Sequence, residues 1–253
     1  MKEHRATFSF KHELNDFLST AQRQQDLKYH FNGHPGIKDP IEAQGIPHTE
    51  VELILVNGKS VAFNYQLQPD DHVTVYPTIN HDFTQNQVTL REQFTGQTAF
   101  ILDVHLGKLA RLLRLLGFDT VYRNDYNDRE IIRIALDQNR ILLTRDRRML
   151  YNRCITHGQW LHSTDPLKQA GEVIRRFDLS NKIKRFTRCP SCNGHIQEVK
   201  KELILDQLET LTKKFYSEFF QCSACKKVYW RGSHYKHILA TLNTIQTESR
   251  RGQ

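Results

Sequence analysis

Residues 99–122, AFILDVHLGKLARLLRLLGFDTVY, decide the fold of the central part of the chain. Ala99-Phe100-Ile101-Leu102 is a short apolar strand ending in Asp103. Leu106, Leu109, Ala110, Leu113 and Leu116 then recur at helical spacing, with Lys108, Arg111 and Arg114 between them and Gly117 as the stop. Asp119-Thr120-Val121-Tyr122 opens a second strand. This is one turn of an α/β unit, and the pattern repeats downstream. Asn127 can cap a helix that carries Ile131, Ile132, Ala135 and Leu136, with Glu130 placed to close a capping box. A third strand, Ile141-Leu142-Leu143-Thr144, runs straight into Arg145-Asp146-Arg147. A fourth is expected around Gln159-Trp160-Leu161-His162, and Asp165-Pro166 opens a helix with Leu167, Ala170, Ile174 and Phe177 on one face. Strands alternating with helices imply a parallel sheet, whose working residues gather at the carboxyl ends of the strands.

That rule gives the acids their meaning. Asp103 follows the first strand, Asp125 and Asp128 the second, and Asp146 the third. Carboxylates gathered at one sheet edge repel one another, and a divalent cation such as Mg²⁺ or Mn²⁺ held by oxygen ligands offsets the repulsion. Such a site activates water and neutralises charge on a phosphodiester undergoing attack. Singly, each acid also reads as a cap: Asp128 stands at a helix N-terminus, where the dipole favours it. Arg145 and Arg147 have two readings, as partners of these carboxylates or of substrate phosphates.

Upstream, Ala6–Phe10, Leu27–Phe31, Val51–Val56 and Val73–Tyr76 are strand-like, with one short helix between Pro40 and Gln44. Asn57-Gly58 between VELILV and KSVAF is a hairpin turn, because both positions tolerate positive φ. The order resembles the ubiquitin-like β-grasp fold, and LVNGKSV followed by LQPDDHVTVYP resembles a sulfur-carrier protein of that class. Those carriers end in a free Gly-Gly; here the chain continues through Tyr76-Pro77-Thr78, so the segment reads as a binding or docking module with a protein partner. The polar stretch His81–Gln97 is the expected linker.

Downstream, Cys189-x-x-Cys192 and Cys222-x-x-Cys225 are separated by 29 residues. Each pair places two thiolates on one turn, and two turns close a tetrahedral four-cysteine Zn²⁺ site with no open position, hence a structural zinc. Cys154 stands outside it as a reduced core residue. Lys226, Lys227, Arg231 and His234 are interleaved with Tyr229 and Trp230, a pattern suited to single-stranded RNA: cations neutralise phosphate and rings stack unpaired bases. Tyr229 and Trp230 fit a small ribbon core equally well.

These residues together carry a resemblance. The stretch from Ile101 to Leu150, with LDVHLGKLARLLRLLGFDT and RILLTRDRRML, is similar to PIN-like ribonucleases, specifically the Mut-seven C-terminal RNase family. That family joins a ubiquitin-like N-terminal domain to the RNase, matching PHTEVELILVNGKSV and VTVYP, and its zinc segment resembles RCPSCNG with CSACKKVYWRGSHYKHI. The resemblance implies a metal-dependent endoribonuclease with Asp103, Asp128 and Asp146 as catalytic acids, Asp125, Arg145 and Arg147 as accessory residues, and Mg²⁺ or Mn²⁺ as catalytic metal. The helical acid that many PIN domains carry has no counterpart between Leu106 and Leu116. The expected fold class is multidomain, α+β and α/β: a β-grasp module over 1–85, a PIN-like domain with a parallel sheet over 98–180, and a four-cysteine zinc ribbon over 183–240.

Composition agrees with a partner that is a polyanion. The chain has 253 residues and a net charge of +8, distributed as −4 over residues 1–90, +3 over 91–174 and +9 over 175–253. Clustered cations at one end favour phosphate through counterion release, and on charge alone read equally well as a solvated surface. No run is long and apolar enough to span a membrane, and the first residues lack a signal-peptide core, so the expected compartment is the cytoplasm. Five cysteines, four of them in Cys-x-x-Cys pairs, argue for metal rather than a disulfide framework. The expected partner is RNA, in single-stranded regions of structured molecules. Two rivals are a non-catalytic RNA- or ribosome-binding adaptor that keeps a degraded PIN fold, and a nuclease directed at DNA.

Overall fold

The computed structural model describes residues 3–77, 88, 90, 98–232, 240 and 243. Most of the expected linker, and His234 with the residues after it up to 239, lie outside them. The chain divides into two compact units, residues 1–96 with 146–160 and residues 97–145 with 161–253.

The first unit is built on a five-stranded sheet of β1 (His4–Phe10), β2 (Asp26–Phe31), β3 (Val51–Val56), β4 (Lys59–Val61) and β5 (His72–Pro77), with helix α1 (Lys38–Ala43) between β2 and β3. The order is β2-β1-β5-β3-β4, and only the central β1–β5 pair is parallel. This is the β-grasp arrangement. Strand alternation sends Ala6, Phe8 and Phe10 inward, onto a core with Ile37, Ile41, Ile54, Leu67 and Val75. The β3–β4 hairpin closes at Asn57 and Gly58, both at positive φ (50° and 80°), as the dipeptide requires.

The second unit opens with β6 (Ala99–Leu102), α2 (Gly107–Leu115), β7 (Asp119–Val121), α3 (Asp128–Asp137) and β8 (Ile141–Thr144). Strands β7, β6 and β8 lie side by side and parallel, in that order. All four residues of β8 are buried, as expected of a strand covered on both faces. The chain then enters residues 146–160, which carry a 3₁₀ turn (Arg147–Tyr151) and β9 (Gly158–Trp160) and pack in the first unit. There the Arg147 guanidinium lies 4.9 Å from the ring centre of Phe17 and 4.0 Å from that of Trp160, and donates to the carbonyls of Asp16 and Phe17. Tyr151 donates to the Gly45 carbonyl, and the Trp160 amide donates to Glu50. His48, buried, bridges the Glu42 carboxylate (2.6 Å) and the Ile155 carbonyl (2.8 Å). The fourth strand expected around Gln159–His162 forms as β9, which completes the sheet order β7-β6-β8-β9.

The chain rejoins the second unit at Leu161, whose amide donates to Thr144, and continues into α4 (Pro166–Arg176), capped by Asp165 with proline in its first turn. The ribbon follows: β10 (Ile196–Val199), a 3₁₀ turn and helix α5 (Thr210–Phe215), β11 (Phe219–Cys222) and β12 (Val228–Trp230), an antiparallel sheet in the order β10-β11-β12. Gly117, at φ 96°, ends α2 where the chain at Lys184 crosses: a Cβ there would lie 2.1 Å from the Lys184 carbonyl oxygen, so only glycine fits. Among the described residues no helix is long and apolar enough to cross a membrane.

Candidate active site and metal centre

Asp103 follows β6 directly and is 5% exposed. Because β6 and β8 run parallel and adjacent, the end of β8 supplies its partners. Oδ2 accepts from the Thr144 hydroxyl (3.1 Å) and the Arg145 amide (3.3 Å), and Oδ1 accepts from the His105 amide (3.4 Å). Three donors offset the cost of burying a carboxylate and fix its orientation. The next residue, Val104, begins the lining of a cleft of about 710 Å³ over the first turns of α2, which His105, Lys108, Arg111 and Arg145 also line. Among the described residues no Asp or Glu lines it. Gly107 lets the ring of Tyr122 close over the start of the helix, since a Cβ there would sit 2.7 Å from the phenol oxygen; that phenol donates to the Val104 carbonyl.

The other acids occupy distinct settings. Asp128 is the first residue of α3 and exposed, behind the reciprocal capping box of Asn127 and Glu130 that the spacing predicts. Asp125 is exposed and held by Arg123 through two hydrogen bonds (2.6 and 2.9 Å), which keep its carboxyl below the ordinary range. Asp146 belongs to the first unit, where it caps the 3₁₀ turn through the Arg148 amide and takes the Arg148 guanidinium at 2.6 Å. That guanidinium holds its carboxyl below the usual carboxylate value. Arg145 reaches the Ser163 carbonyl, and Arg147 lies between Phe17 and Trp160. Among the described residues, the one group of three or more Cys, His, Asp or Glu with ligand atoms within 4.8 Å of one another is Cys189, Cys192, Cys222 and Cys225.

The cysteine cluster is made of two matching turns. Asn193 donates from its amide to the Cys189 carbonyl and Lys226 to the Cys222 carbonyl; Cys189 donates to Gly194 and Cys222 to Lys227. Asn193 (φ 69°) and Lys226 (φ 60°) share the left-handed conformation one residue past the second cysteine. At Gly194 a Cβ would lie 2.9 Å from the Cys222 sulfur, so the glycine lets the turns approach. Four thiols so close cannot all ionise unaided. Against burial, which raises it, the Gly194 amide and the neighbouring thiols bring Cys192 down to about 7. The Lys227 amide lowers Cys225, yet burial and the same neighbours push it up to about 12. A soft dication resolves the conflict by letting all four become thiolates, and the four-sulfur donor set fits Zn²⁺. Cys154, expected in the core, is exposed.

The zinc turn is wired into the parallel sheet. Asn193 accepts from the Thr120 amide and donates to Asp119, which also receives Arg140 (2.8 Å) and Arg188 (3.4 Å). Burial raises the Asp119 carboxyl, but the hydrogen bonds from Arg140 and Asn193 leave it below its ordinary value. Arg114, 5% exposed, donates to the carbonyls of Thr120, Pro190 and Ser191. Sequence reasoning left Asp119 and Arg114 unassigned. The signal was a cation in the apolar helix and an acid opening a buried strand.

Of the residues singled out for RNA, Tyr229 turns its hydroxyl to the Cys189 sulfur (3.0 Å) and so supports the metal site; burial, then the contact with Cys189, pushes its phenol up. Lys226 and Lys227 are exposed, the latter reaching Ser191. Arg231 pairs with Glu218 and covers the Phe220 ring, while Trp230 is 38% exposed. His234 lies outside the described residues.

A family model described as the Mut7-C RNAse domain matches residues 98–242, and one described as Mut7-C ubiquitin matches residues 3–82. No curated protein and no solved structure matches the chain.

Proposed function

The chain belongs to the Mut7-C RNase family, and from that premise we propose that it is a cytoplasmic, metal-dependent endoribonuclease. The family supports a nuclease-type function with RNA as substrate. The observation that carries the finer reading is Asp103: a buried carboxylate, pinned by Thr144 and Arg145, at the carboxyl end of a parallel strand and one residue before Val104, where the lining of a cleft that holds Lys108, Arg111 and Arg145 begins. Asp103 would offer the anionic oxygens that Mg²⁺ or Mn²⁺ prefers, and the family resemblance adds Asp128 and Asp146 as ligands and Asp125 as accessory, although among the described residues these acids form no cluster of ligand atoms. When bound, such a cation makes water nucleophilic at neutral pH and offsets charge on the phosphodiester.

The protein's own groups do the rest. Thr144 and the Arg145 amide fix the Asp103 side chain in one orientation. Lys108, Arg111 and the Arg145 side chain line the cleft and bind the phosphates on either side of the scissile bond. The zinc ribbon, with four ligands and no open position, is structural, and the β-grasp unit docks a protein partner.

The decisive experiment incubates the full chain with labelled single-stranded RNA, with and without Mn²⁺, beside Asp103→Asn. Manganese-dependent cleavage that the variant loses supports the enzyme. A second reading, a non-catalytic RNA- or ribosome-binding adaptor, rests on the capping and ion-pair role that Asp146 already fills and on the place of Asp128 in the first turn of α3, where the helix dipole favours an acid. It predicts binding without cleavage for both proteins. Cleavage of DNA as readily as RNA would replace the ribonuclease with a less selective nuclease.

A further inference from the structure

The ribbon carries a groove of about 890 Å³ on the same unit as the Asp103 cleft, and the two share one lining residue, Arg111. Arg111 is exposed and has no ion-pair partner among the described residues. It sits in the middle of α2. Lys108, one turn earlier, lines the cleft; Leu115, one turn later, lines the groove. Residues 108, 111 and 115 follow one helix face, and at 1.5 Å per residue they span about 10 Å.

The groove's chemistry is specific. Its lining holds aromatic rings, including Tyr216, Phe220 and the partly exposed Trp230, together with Arg185 and Lys227, and among the described residues no Asp or Glu lines it. Trp230 and Tyr216 stand 6.3 Å apart, tilted by 48°, and the Trp230 ring is the most exposed of the lining aromatics. Phe186 keeps a left-handed backbone (φ 58°), unusual for a bulky residue, where its amide donates to the Leu115 carbonyl at the end of α2. A charged rim over π-faces fits a flexible polyanion whose bases are unpaired: phosphates take the cations and bases take the rings. A duplex hides its base faces and has no use for Trp230. An acidic peptide would match the cations but leave the rings idle.

Resting on the ribonuclease reading above, we infer that the ribbon groove is a base-stacking subsite for single-stranded polynucleotide, and that Arg111 holds the phosphate at which the strand passes from the groove into the Asp103 cleft. The zinc ribbon then does more than brace the fold. It sets which unpaired segment reaches the acid, so cleavage falls at a fixed short distance from a base stacked on Trp230.

Binding of short labelled oligo(U) and oligo(dT) to the full, zinc-loaded chain, followed by fluorescence anisotropy across a salt series, tests the inference. Trp230→Ala should weaken oligo(U) binding by about 5- to 150-fold, the range for losing one stacked base, with an unchanged salt slope. Trp230→Phe should restore most of the affinity. Arg111→Ala should make the log–log salt slope shallower by about 0.7, the value for one single-strand phosphate contact. Zinc content checks that each variant is folded; should Trp230→Ala lose its zinc, Trp230→Phe and Arg111→Ala decide instead. In Trp230→Phe the oligonucleotide-induced quenching of tryptophan fluorescence should vanish, because Trp160, the other tryptophan, lies in the other unit. Unchanged affinity, slope and quenching would overturn the subsite, even if Asp103→Asn abolishes cleavage. Altered binding in the groove variants while Asp103→Asn still cleaves would instead keep the subsite and remove the catalytic reading.

Discussion

Asn193, one residue past the second cysteine of its turn, donates from Nδ2 to Asp119 Oδ1 at 2.8 Å while its own Oδ1 accepts from the Thr120 amide at 3.0 Å. One asparagine thus pairs the edge strand of the parallel sheet and shapes the zinc turn. Its left-handed backbone suits Asn, which tolerates αL better than other side chains of its size.

Asn193→Gly keeps that backbone conformation but leaves the Thr120 amide without its partner and takes one of two donors from Asp119 Oδ1, which keeps Arg140. The expected cost is about 1–3 kcal/mol, that of unmaking buried hydrogen bonds. Thermal unfolding should show the loss while elemental analysis still finds one zinc per chain. A wild-type melting temperature would mean that water replaces the side chain without penalty.

Removing zinc should destabilise more than the ribbon. Each thiolate pair shares backbone hydrogen bonds with its turn, and the first turn supports Asp119 and receives Arg114. A strong chelator, or Cys192→Ser, is therefore expected to expose amides of residues 118–121 to hydrogen exchange along with those of residues 189–230. Protection that survives in 118–121 would show that the sheet edge stands without the metal.

Asp119 gives the acid limb of stability a definite direction. Its carboxyl lies below the ordinary value of 3.8, so its contribution is complete above that value and is lost as pH falls through the lower folded value. Asp119→Asn should lower stability at neutral pH and flatten the decline below about pH 4, where the wild type alone still has a proton to take up. Denaturant melts at several pH values, run on both proteins in parallel, read the difference. Parallel acid limbs would assign the decline to other groups.

Asp146 is best tested beside its ion-pair partner. Asp146→Asn retains a good cap, since Asn and Asp serve about equally, so folding should change little. If the carboxylate ligates the catalytic metal, Mn²⁺-dependent cleavage should fall at least tenfold on the order of one lost charged ligand, about 1.4 kcal/mol or more. Arg148→Ala, which removes an exposed guanidinium worth about 0–1 kcal/mol, should leave cleavage intact or raise it by freeing the acid. Full activity in Asp146→Asn would confine this residue to its capping role.

Arg147 separates fold from chemistry. With its guanidinium between Phe17 and Trp160, Arg147→Ala should destabilise the β-grasp unit by about 1–2 kcal/mol through lost cation–π and packing contacts. RNA affinity and cleavage per folded molecule should be unchanged. A selective loss of RNA binding would return Arg147 to the phosphate-contacting role that its position in the sequence suggests.

Whatever rests on local spacing was legible in the residues alone. The 3.6-residue recurrence from Leu106 to Leu116, the Asn57-Gly58 turn, the Asn127–Glu130 capping box and the two Cys-x-x-Cys turns all appear where the pattern puts them, because each is decided by interactions within a few residues. Asp103 at the end of β6 was legible for the same reason: a strand followed by a helix places the intervening acid at the sheet's carboxyl edge. Tertiary structure alone decided the long-range pairings. That residues 146–160 pack Arg147 and Trp160 on Phe17 depends on partners more than 120 positions away, and no local period records them. The same holds for Tyr229, whose place among basic residues suggested RNA but whose hydroxyl meets the Cys189 sulfur, and for Arg114, a cation in an apolar helix that is buried because three backbone carbonyls await it. A buried polar group is settled by the donors and acceptors that folding brings to it, and those are set by three-dimensional closure rather than by neighbours in the chain.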